Sequence, residues 1–386
     1  VIGGGIGGMA AALALARRGR RVKLLEKAPE FGEIGYGIQC GPNAYRMLEH
    51  LGVMDRIEPT VFYPKALVMA DAMSGGEVAR IDLGPWFVER YGRPYFVVHR
   101  RDLHGALWDA CKAHENVSLH VSKGLAAFRE ADDVVQVTCE DGSEHEGIAM
   151  IGCDGLRSVA RASIVNDGAP RVAGHVAYRG VVPVDEIRNK DYQDYMVIWC
   201  GHNLHLVQYR LRGGTVMNNV AVIESEEFKR GVKDWGGPAE LEATFQRAVP
   251  EVRDMLRYVS RDRNWVLHDR EPVTNWTRGR STLLGDAAHP TLQYLASGAC
   301  MAIEDAVVLA AQVGGADVDF NRAFSAYQEE RLLRTTRVVL TSRVFGHICH
   351  AGNAARLLRN EIASRHTPQT FWEYDWLYRG IPAPAS

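Results

Sequence analysis

Val1-Ile2-Gly3-Gly4-Gly5-Ile6-Gly7-Gly8 opens the chain, and Val22-Lys23-Leu24-Leu25-Glu26 follows. The pattern predicts a strand end, a tight Gly-x-Gly-x-x-Gly turn at Gly3, Gly5 and Gly8, a helix over Met9 to Arg18, and a second strand with an acid at its tip. Gly3 permits the tight turn. Gly5 lets the backbone approach a pyrophosphate, and Gly8 lets the helix pack close to the strand. Unpaired N–H groups and the dipole at the helix start favour negative charge. Glu26 stands 23 residues after Gly3, where a carboxylate can accept from a ribose diol and repel a 2′-phosphate. The alternative is a glycine-rich turn without a ligand, whose backbone entropy would then have no explanation. The motif itself does not select one dinucleotide.

Working outward, 386 residues suffice for two domains and a large core. An apolar content of 46% and a charged content of 24% fit an ordinary globular chain. A net charge of -2 gives no electrostatic case for nucleic acid. The seven cysteines are scattered, odd in number and free of any Cys-x-x-Cys. That speaks against a disulfide framework and points to a reducing cytoplasm, and no metal site is expected. No apolar run approaches the ~20 residues of a spanning helix. The chain opens inside a strand, so residues before Val1 are expected.

Phe31 to Ile38 reads as a glycine-rich loop, and Pro42 to Leu51 as a helix. Residues 66–82 read as two strands, 102–113 as a helix, and 117–121 as a strand. Val134–Cys139 and Glu144–Ile151 read as a hairpin around Asp141-Gly142. From about 170 the pattern becomes that of an antiparallel sheet, with strands at 176–181, 195–200, 204–211 and 218–223. A helix follows near 238–248. Ser281 to Leu284 returns as a buried strand, followed by a helix over 299–313. The fold class expected is therefore α/β: a Rossmann-like nucleotide domain (1–168 and 269–345) interrupted by an antiparallel-sheet substrate domain (169–268), with C-terminal helices (346–386). Arg331, Arg334 and Arg337 stand at i, i+3, i+6 in a helical stretch, read as a solvated face rather than a partner or anion site.

Two further glycine–aspartate turns narrow the reading. They are Cys153-Asp154-Gly155-Leu156-Arg157-Ser158-Val159-Ala160-Arg161 and Gly285-Asp286-Ala287-Ala288-His289-Pro290. Singly, each fits a strand-to-helix cap. Together with the opening loop and Arg100 in His99-Arg100-Arg101-Asp102-Leu103, the ordered set spans the chain. On these residues the sequence resembles the single-component flavin-dependent aromatic hydroxylases, the para-hydroxybenzoate hydroxylase class. The resemblance implies bound FAD, with Gly3, Gly5 and Gly8 on the pyrophosphate and Glu26 on the adenosine ribose. It implies Arg100 near the FAD phosphates, and Asp154 and Gly155 near FAD and a transient NADH. It places Asp286 on the ribityl chain, Pro290 by the reactive flavin edge and Gln39 near the flavin ring.

The stretches Thr291-Leu292-Gln293-Tyr294-Leu295-Ala296-Ser297-Gly298, His205-Leu206-Val207-Gln208-Tyr209 and Arg93-Pro94-Tyr95-Phe96-Val97-Val98 are similar to the branch of that class acting on 3-hydroxybenzoate. Strand alternation puts His205, Val207 and Tyr209 on one face. The resemblance implies that His205 activates a phenol, that Gln293 lies beside the carbon hydroxylated, and that Tyr209 and Tyr95 hold the ring and carboxylate. A core histidine and packed tyrosines are the alternatives. Gln293 can equally be a loop amide, and His289 is read as structural. The activity implied is hydroxylation of 3-hydroxybenzoate para to its hydroxyl, giving 2,5-dihydroxybenzoate with NADH and O2. A phenol with a pKa of ~10 needs a proton acceptor to become nucleophilic, and a neutral histidine can be one. Rival readings are a salicylate or other hydroxybenzoate hydroxylase, a flavin oxidase or dehydrogenase, and a nucleotide-binding module without catalysis. The Arg-rich C-terminal helices are candidates for a homodimer contact.

Overall fold

The computed structural model describes residues 1–30, 36–315 and 317–381. The Phe31–Gly35 part of the glycine-rich loop lies outside them; Gly37–Cys40 is a strand.

Ile2 bridges in parallel to both Leu25 and Gly152. Val22–Leu25 pairs in parallel with Val117–His120, and Met150–Gly152 with Ser281–Leu283. The glycine turn thus leaves a central strand of a parallel sheet, where nucleotide sites form. Gly3 has a φ of 101°, and a Cβ there would lie 2.4 Å from the Cys153 carbonyl oxygen. A Cβ on Gly8 would lie 1.9 Å from the Gly3 carbonyl oxygen. Only glycine fits either position. Helix Ile6–Arg17 carries Ala10, Ala11, Ala12 and Ala14, all buried. These small side chains let the Gly298–Gln312 and Arg100–Lys112 helices pack tightly against it.

A seven-stranded sheet forms the second layer. Its order is Trp265–Asp269, Arg171–Pro183, Val216–Glu224, Leu204–Leu211, Met196–Gly201, Ala66–Asp71, Glu77–Asp82. All its neighbours are antiparallel except Met196–Gly201 with Ala66–Asp71. Residues 66–82, read from sequence as part of the first segment, therefore belong to this second sheet. Their apolar alternation marks a half-buried strand pair but not its partner. The 144–151 strand also divides. Glu144–Gly147 completes the hairpin sheet with Val134–Cys139, and Met150–Gly152 joins the parallel sheet.

The helix Phe320–Cys349 runs through the boundary placed at 345. It does not present a solvated arginine face. Arg331 is fully buried, its Nε 2.6 Å from Asp305 and its Nη2 2.8 Å from Glu304. Arg334 joins Glu304 at 2.7 Å, and the Arg337 guanidinium stacks 4.1 Å from the Trp376 ring centre. The partners Glu304 and Asp305 lie buried in the otherwise apolar helix Gly298–Gln312. Among the described residues no helix is long and apolar enough to cross a membrane.

Candidate active site

A cavity of about 900 Å³ lies between the two sheets. Its nucleotide-side wall is Gly5, Ile6, Arg100, Gly155 and Asp286, and its opposite wall carries His205, Val207 and Tyr209. Gln39, Tyr95 and Gln293 also line it. A second cavity of about 430 Å³ is lined by Gly3, Gly4, Gly5, Glu26, Asp154 and Arg157. Gly5, Cys153 and Gly155 border both. The pair forms one continuous groove past the helix start, from an acid-tipped strand to an aromatic chamber. Such a groove fits FAD: a cradle without side chains for the pyrophosphate, donors at the helix start, and a chamber for the ring. Gly8 shapes the turn and borders neither cavity. Pro290 is buried and also borders neither.

The glycine loop is braced by polar groups around it. Glu26 accepts from the Gly4 N–H at 2.5 Å and from the Ala28 N–H at 2.7 Å. His104 Nε2 lies 2.8 Å from the Gly4 carbonyl oxygen. Asp154 serves as a helix cap: its carboxylate accepts from Ser158 Oγ at 2.5 Å and from the Val159 N–H at 2.7 Å. Asp286 differs, for it is exposed to the cavity between the buried Gly285 and Ala287.

The turn carrying Asp286 is held from behind. Asp305 accepts from the Gly285 N–H at 3.1 Å, and His289 Nε2 lies 2.6 Å from the same oxygen. Burial works to raise the Asp305 pKa, but His289 and Arg331 together override it and bring it to about 2. Arg161, fully buried, donates to the carbonyls of Ala287 and Ala288 at 3.1 and 2.5 Å. His289, read from the sequence as structural, is buried and engaged by Asp305. The roles of Asp305, Arg161 and His104 were not legible, because each partner is distant in sequence.

On the aromatic side, Tyr95 Oη donates to Gln39 Oε1 at 2.6 Å. Tyr209 packs on Gly37, where a Cβ would lie 2.4 Å from its ring. Burial raises the pKa of both phenols, so both remain neutral donors. Gln293 Oε1 accepts from Arg179 Nη2 at 2.6 Å. The Arg179 guanidinium lies beside the Tyr36 and Trp265 rings, 5.5 and 5.8 Å from their centres, and the two rings meet edge to face 5.1 Å apart. Its Nε is buried without a hydrogen-bond partner among the described residues. Sequence reading missed it; the available signal was an arginine in mid-strand of a buried sheet.

His205 is 2% exposed and lines the cavity. Its Nδ1 lies 2.7 Å from His350 Nε2. Burial first, then His350 and His175, hold its pKa well below the ordinary histidine value. The imidazole is thus neutral. With Nδ1 engaged, Nε2 is left to receive a proton from a ligand.

The chain matches the family model described as "FAD binding domain" over residues 1–342. It is 43% identical over 379 residues to a 3-hydroxybenzoate 6-hydroxylase of Polaromonas naphthalenivorans (strain CJ2), covering 98% of this chain and 94% of that protein. It is 36% identical over 387 residues to a 3-amino-4-hydroxybenzoate 2-monooxygenase of Streptomyces platensis, covering 100% and 96%. Among solved structures, Klebsiella pneumoniae HpxO complexed with FAD and uric acid superposes with a TM-score of 0.85 at 26% identity, covering 98% and 95%. The chain belongs to the FAD binding domain family and is an FAD-dependent aromatic hydroxylase.

Proposed function

We propose that this chain hydroxylates 3-hydroxybenzoate at carbon 6. That carbon lies across the ring from the hydroxyl, so attack is para and the product is 2,5-dihydroxybenzoate. FAD, when bound, would couple oxidation of NADH to transfer of one oxygen atom of O2 to the ring, the other atom leaving as water. The observation that carries the reading is His205, a neutral imidazole in the cavity wall with its far nitrogen backed by His350. It accepts the phenolic proton and so raises electron density at the para carbon. The names of the relatives at 40–43% identity support the substrate.

The remaining residues bind and orient. Arg179 aims the Gln293 amide at the carbon hydroxylated. Tyr209 and the Tyr95–Gln39 pair hold ring and carboxylate, and the apolar walls exclude water. Gly3, Gly5 and Gly8 shape the pyrophosphate cradle, with Arg100 beside it. Glu26 faces the ribose and Asp286 the ribityl chain. Gly155 and Asp154 form the rim where NADH approaches, and Pro290 supports the flavin edge from behind. A cytoplasmic setting agrees with seven free thiols. Leu333, Leu357 and Leu358, 79%, 62% and 59% exposed on the C-terminal helices, support a homodimer contact there.

The test incubates the holoenzyme with NADH, O2 and a panel of monohydroxybenzoates. Chromatography should show 2,5-dihydroxybenzoate from 3-hydroxybenzoate. A 2,3- or 3,4-dihydroxybenzoate would contradict the regiochemistry, and peroxide without hydroxylated product would make the chain an oxidase.

A further inference from the structure

Behind His205 lies a cluster that the hydroxylation reading leaves unused. His175 on Arg171–Pro183, Glu224 at the end of Val216–Glu224, and His350 at the end of Phe320–Cys349 offer donor atoms within 4.8 Å of one another. His205 pairs with Val222 in register, and His175 with Glu224, so all three side chains emerge on one sheet face. His350 Nε2 meets His205 Nδ1 at 2.7 Å. His350 Nδ1, buried and without a hydrogen-bond partner among the described residues, points at Glu224 Oε2 from 3.6 Å. Rotation of the carboxylate closes that gap. The other carboxylate oxygen pairs with Lys229 Nζ at 2.8 Å, so Glu224 already has its cation. Glu224 and Lys229 side chains are 19% and 43% exposed, whereas His205 and His350 are 2% and 4%. The row therefore runs from the cavity to solvent.

We propose that His205, His350 and Glu224 form a relay that carries the phenolic proton from the cavity to solvent. This deepens the hydroxylation reading and rests on it. The phenol O–H proton moves to His205 Nε2 as the His205 Nδ1 proton moves to His350 Nε2. The His350 Nδ1 proton moves to Glu224 Oε2 and then to water. The phenol becomes a phenolate, both rings stay neutral and change tautomer, and the carboxylate regains its charge on release. His205 is the catalytic residue; His350 and Glu224 are positioning residues that act through it.

The electrostatics favour hand-off over storage. Burial lowers the pKa of His205, His350 and His175, the last to about 3. None of the rings holds a lasting charge at neutral pH. His350 and Lys229 hold the Glu224 carboxyl below its ordinary range despite burial, so it gives its proton to water. The other groups facing the row are Tyr294, whose Oη lies 2.5 Å from His175 Nδ1, and His347 one turn back on the helix. Tyr294 fixes His175 so that its Nε2 faces Glu224, 3.8 Å away.

The test needs no turnover. Oxidised holoenzyme is mixed with 3-hydroxybenzoate in a stopped-flow instrument. Phenolate absorbance and proton release to a pH indicator are followed in wild type, His350→Gln, His350→Ala and Glu224→Gln. Phenolate formation should slow about 10²-fold in the His350 variants, with FAD content and substrate Kd within twofold of wild type. Added imidazole should restore most of the rate in His350→Ala, which a merely structural role would not produce. Glu224→Gln should slow proton release in the same direction. Wild-type rates in the variants, beside wild-type hydroxylation of 3-hydroxybenzoate, would overturn the relay alone. A wild type that does not hydroxylate 3-hydroxybenzoate would overturn the functional reading and the relay with it. If the His350 variants do not fold, Glu224→Gln decides, and an unchanged rate overturns the relay.

Discussion

Arg331→Met removes one cation from a buried triad. Arg331, Glu304 and Asp305 are each fully buried, and Arg331 bonds Asp305 at 2.6 Å and Glu304 at 2.8 Å. Each acid keeps another partner: Arg334 and Asn43 for Glu304, His289 for Asp305. Removing one partner of such a network costs about 3–5 kcal/mol, because charge is left buried and uncompensated. Unfolding entropy of ~2.1 cal/mol/K per residue gives about 0.8 kcal/mol/K for a chain this long, so Tm should fall by about 4–6 °C. A solvated arginine would change stability by only about 0.5 kcal/mol. The pH dependence has a definite sign. Asp305 titrates at about 2 in the folded protein, below its ordinary value of ~3.9. Its stabilising contribution is therefore present above ~4 and is lost as pH falls through about 2. In the variant, burial is opposed by His289 and the Gly285 N–H without Arg331, so the Asp305 pKa rises and protonation relieves the buried charge. The loss relative to wild type should thus be largest near pH 8 and shrink toward pH 5. Because Asp305 holds the Gly285 N–H, FAD affinity should fall as well. The assay is thermal unfolding at both pH values, with FAD retention measured after gel filtration. A Tm change under about 1 °C, or a loss that grows toward pH 5, refutes the reasoning.

Gly8→Ala places a methyl where the Gly3 carbonyl oxygen lies 1.9 Å away; the purified protein should be nearly colourless, and full flavin absorbance would contradict this. Asp286→Ala should weaken FAD binding by about 1–3 kcal/mol with little change in Tm; fluorescence titration and unfolding on one variant separate a ligand contact from a structural cap. Arg179→Gln removes the charged donor to Gln293 and should slow product formation roughly 10- to 150-fold, from about 1.5–3 kcal/mol, with substrate Kd moving less; rapid-quench product analysis checks it. The exposed leucines of the C-terminal helices predict a dimer in sedimentation velocity, and a monomer at micromolar concentration would remove that assembly.

Much of the candidate site was legible where a special backbone geometry leaves a local signature. The three glycines, the Gly-Asp turns and the alternation of His205, Val207 and Tyr209 each leave a short-range signature, and the cavities collect all but Gly8 and Pro290. The parallel sheet was legible for the same reason. What was not legible depends on long-range pairing. Residues 66–82 show strand periodicity, but nothing local says that Met196–Gly201 completes their sheet. Arg331 shows helix-face periodicity, and only the packing of Gly298–Gln312 turns that face inward. His350 sits at a helix end far from His205 in sequence, and its contact exists only once helix and sheet meet. Asp154 shows the reverse: the turn was recognisable, and its carboxylate is committed to the following helix.

His205→Ala tests the central claim most directly. Holoenzyme is given 3-hydroxybenzoate and NADH in air, and 2,5-dihydroxybenzoate and hydrogen peroxide are measured per NADH oxidised. Loss of the proton acceptor should slow hydroxylation about 10²–10⁴-fold. NADH oxidation should slow less, because that step does not use the phenolic proton, and its two electrons should go to O2, giving one hydrogen peroxide per NADH oxidised without product. A variant that forms 2,5-dihydroxybenzoate at the wild-type rate and yield would make His205 a structural histidine and contradict the account.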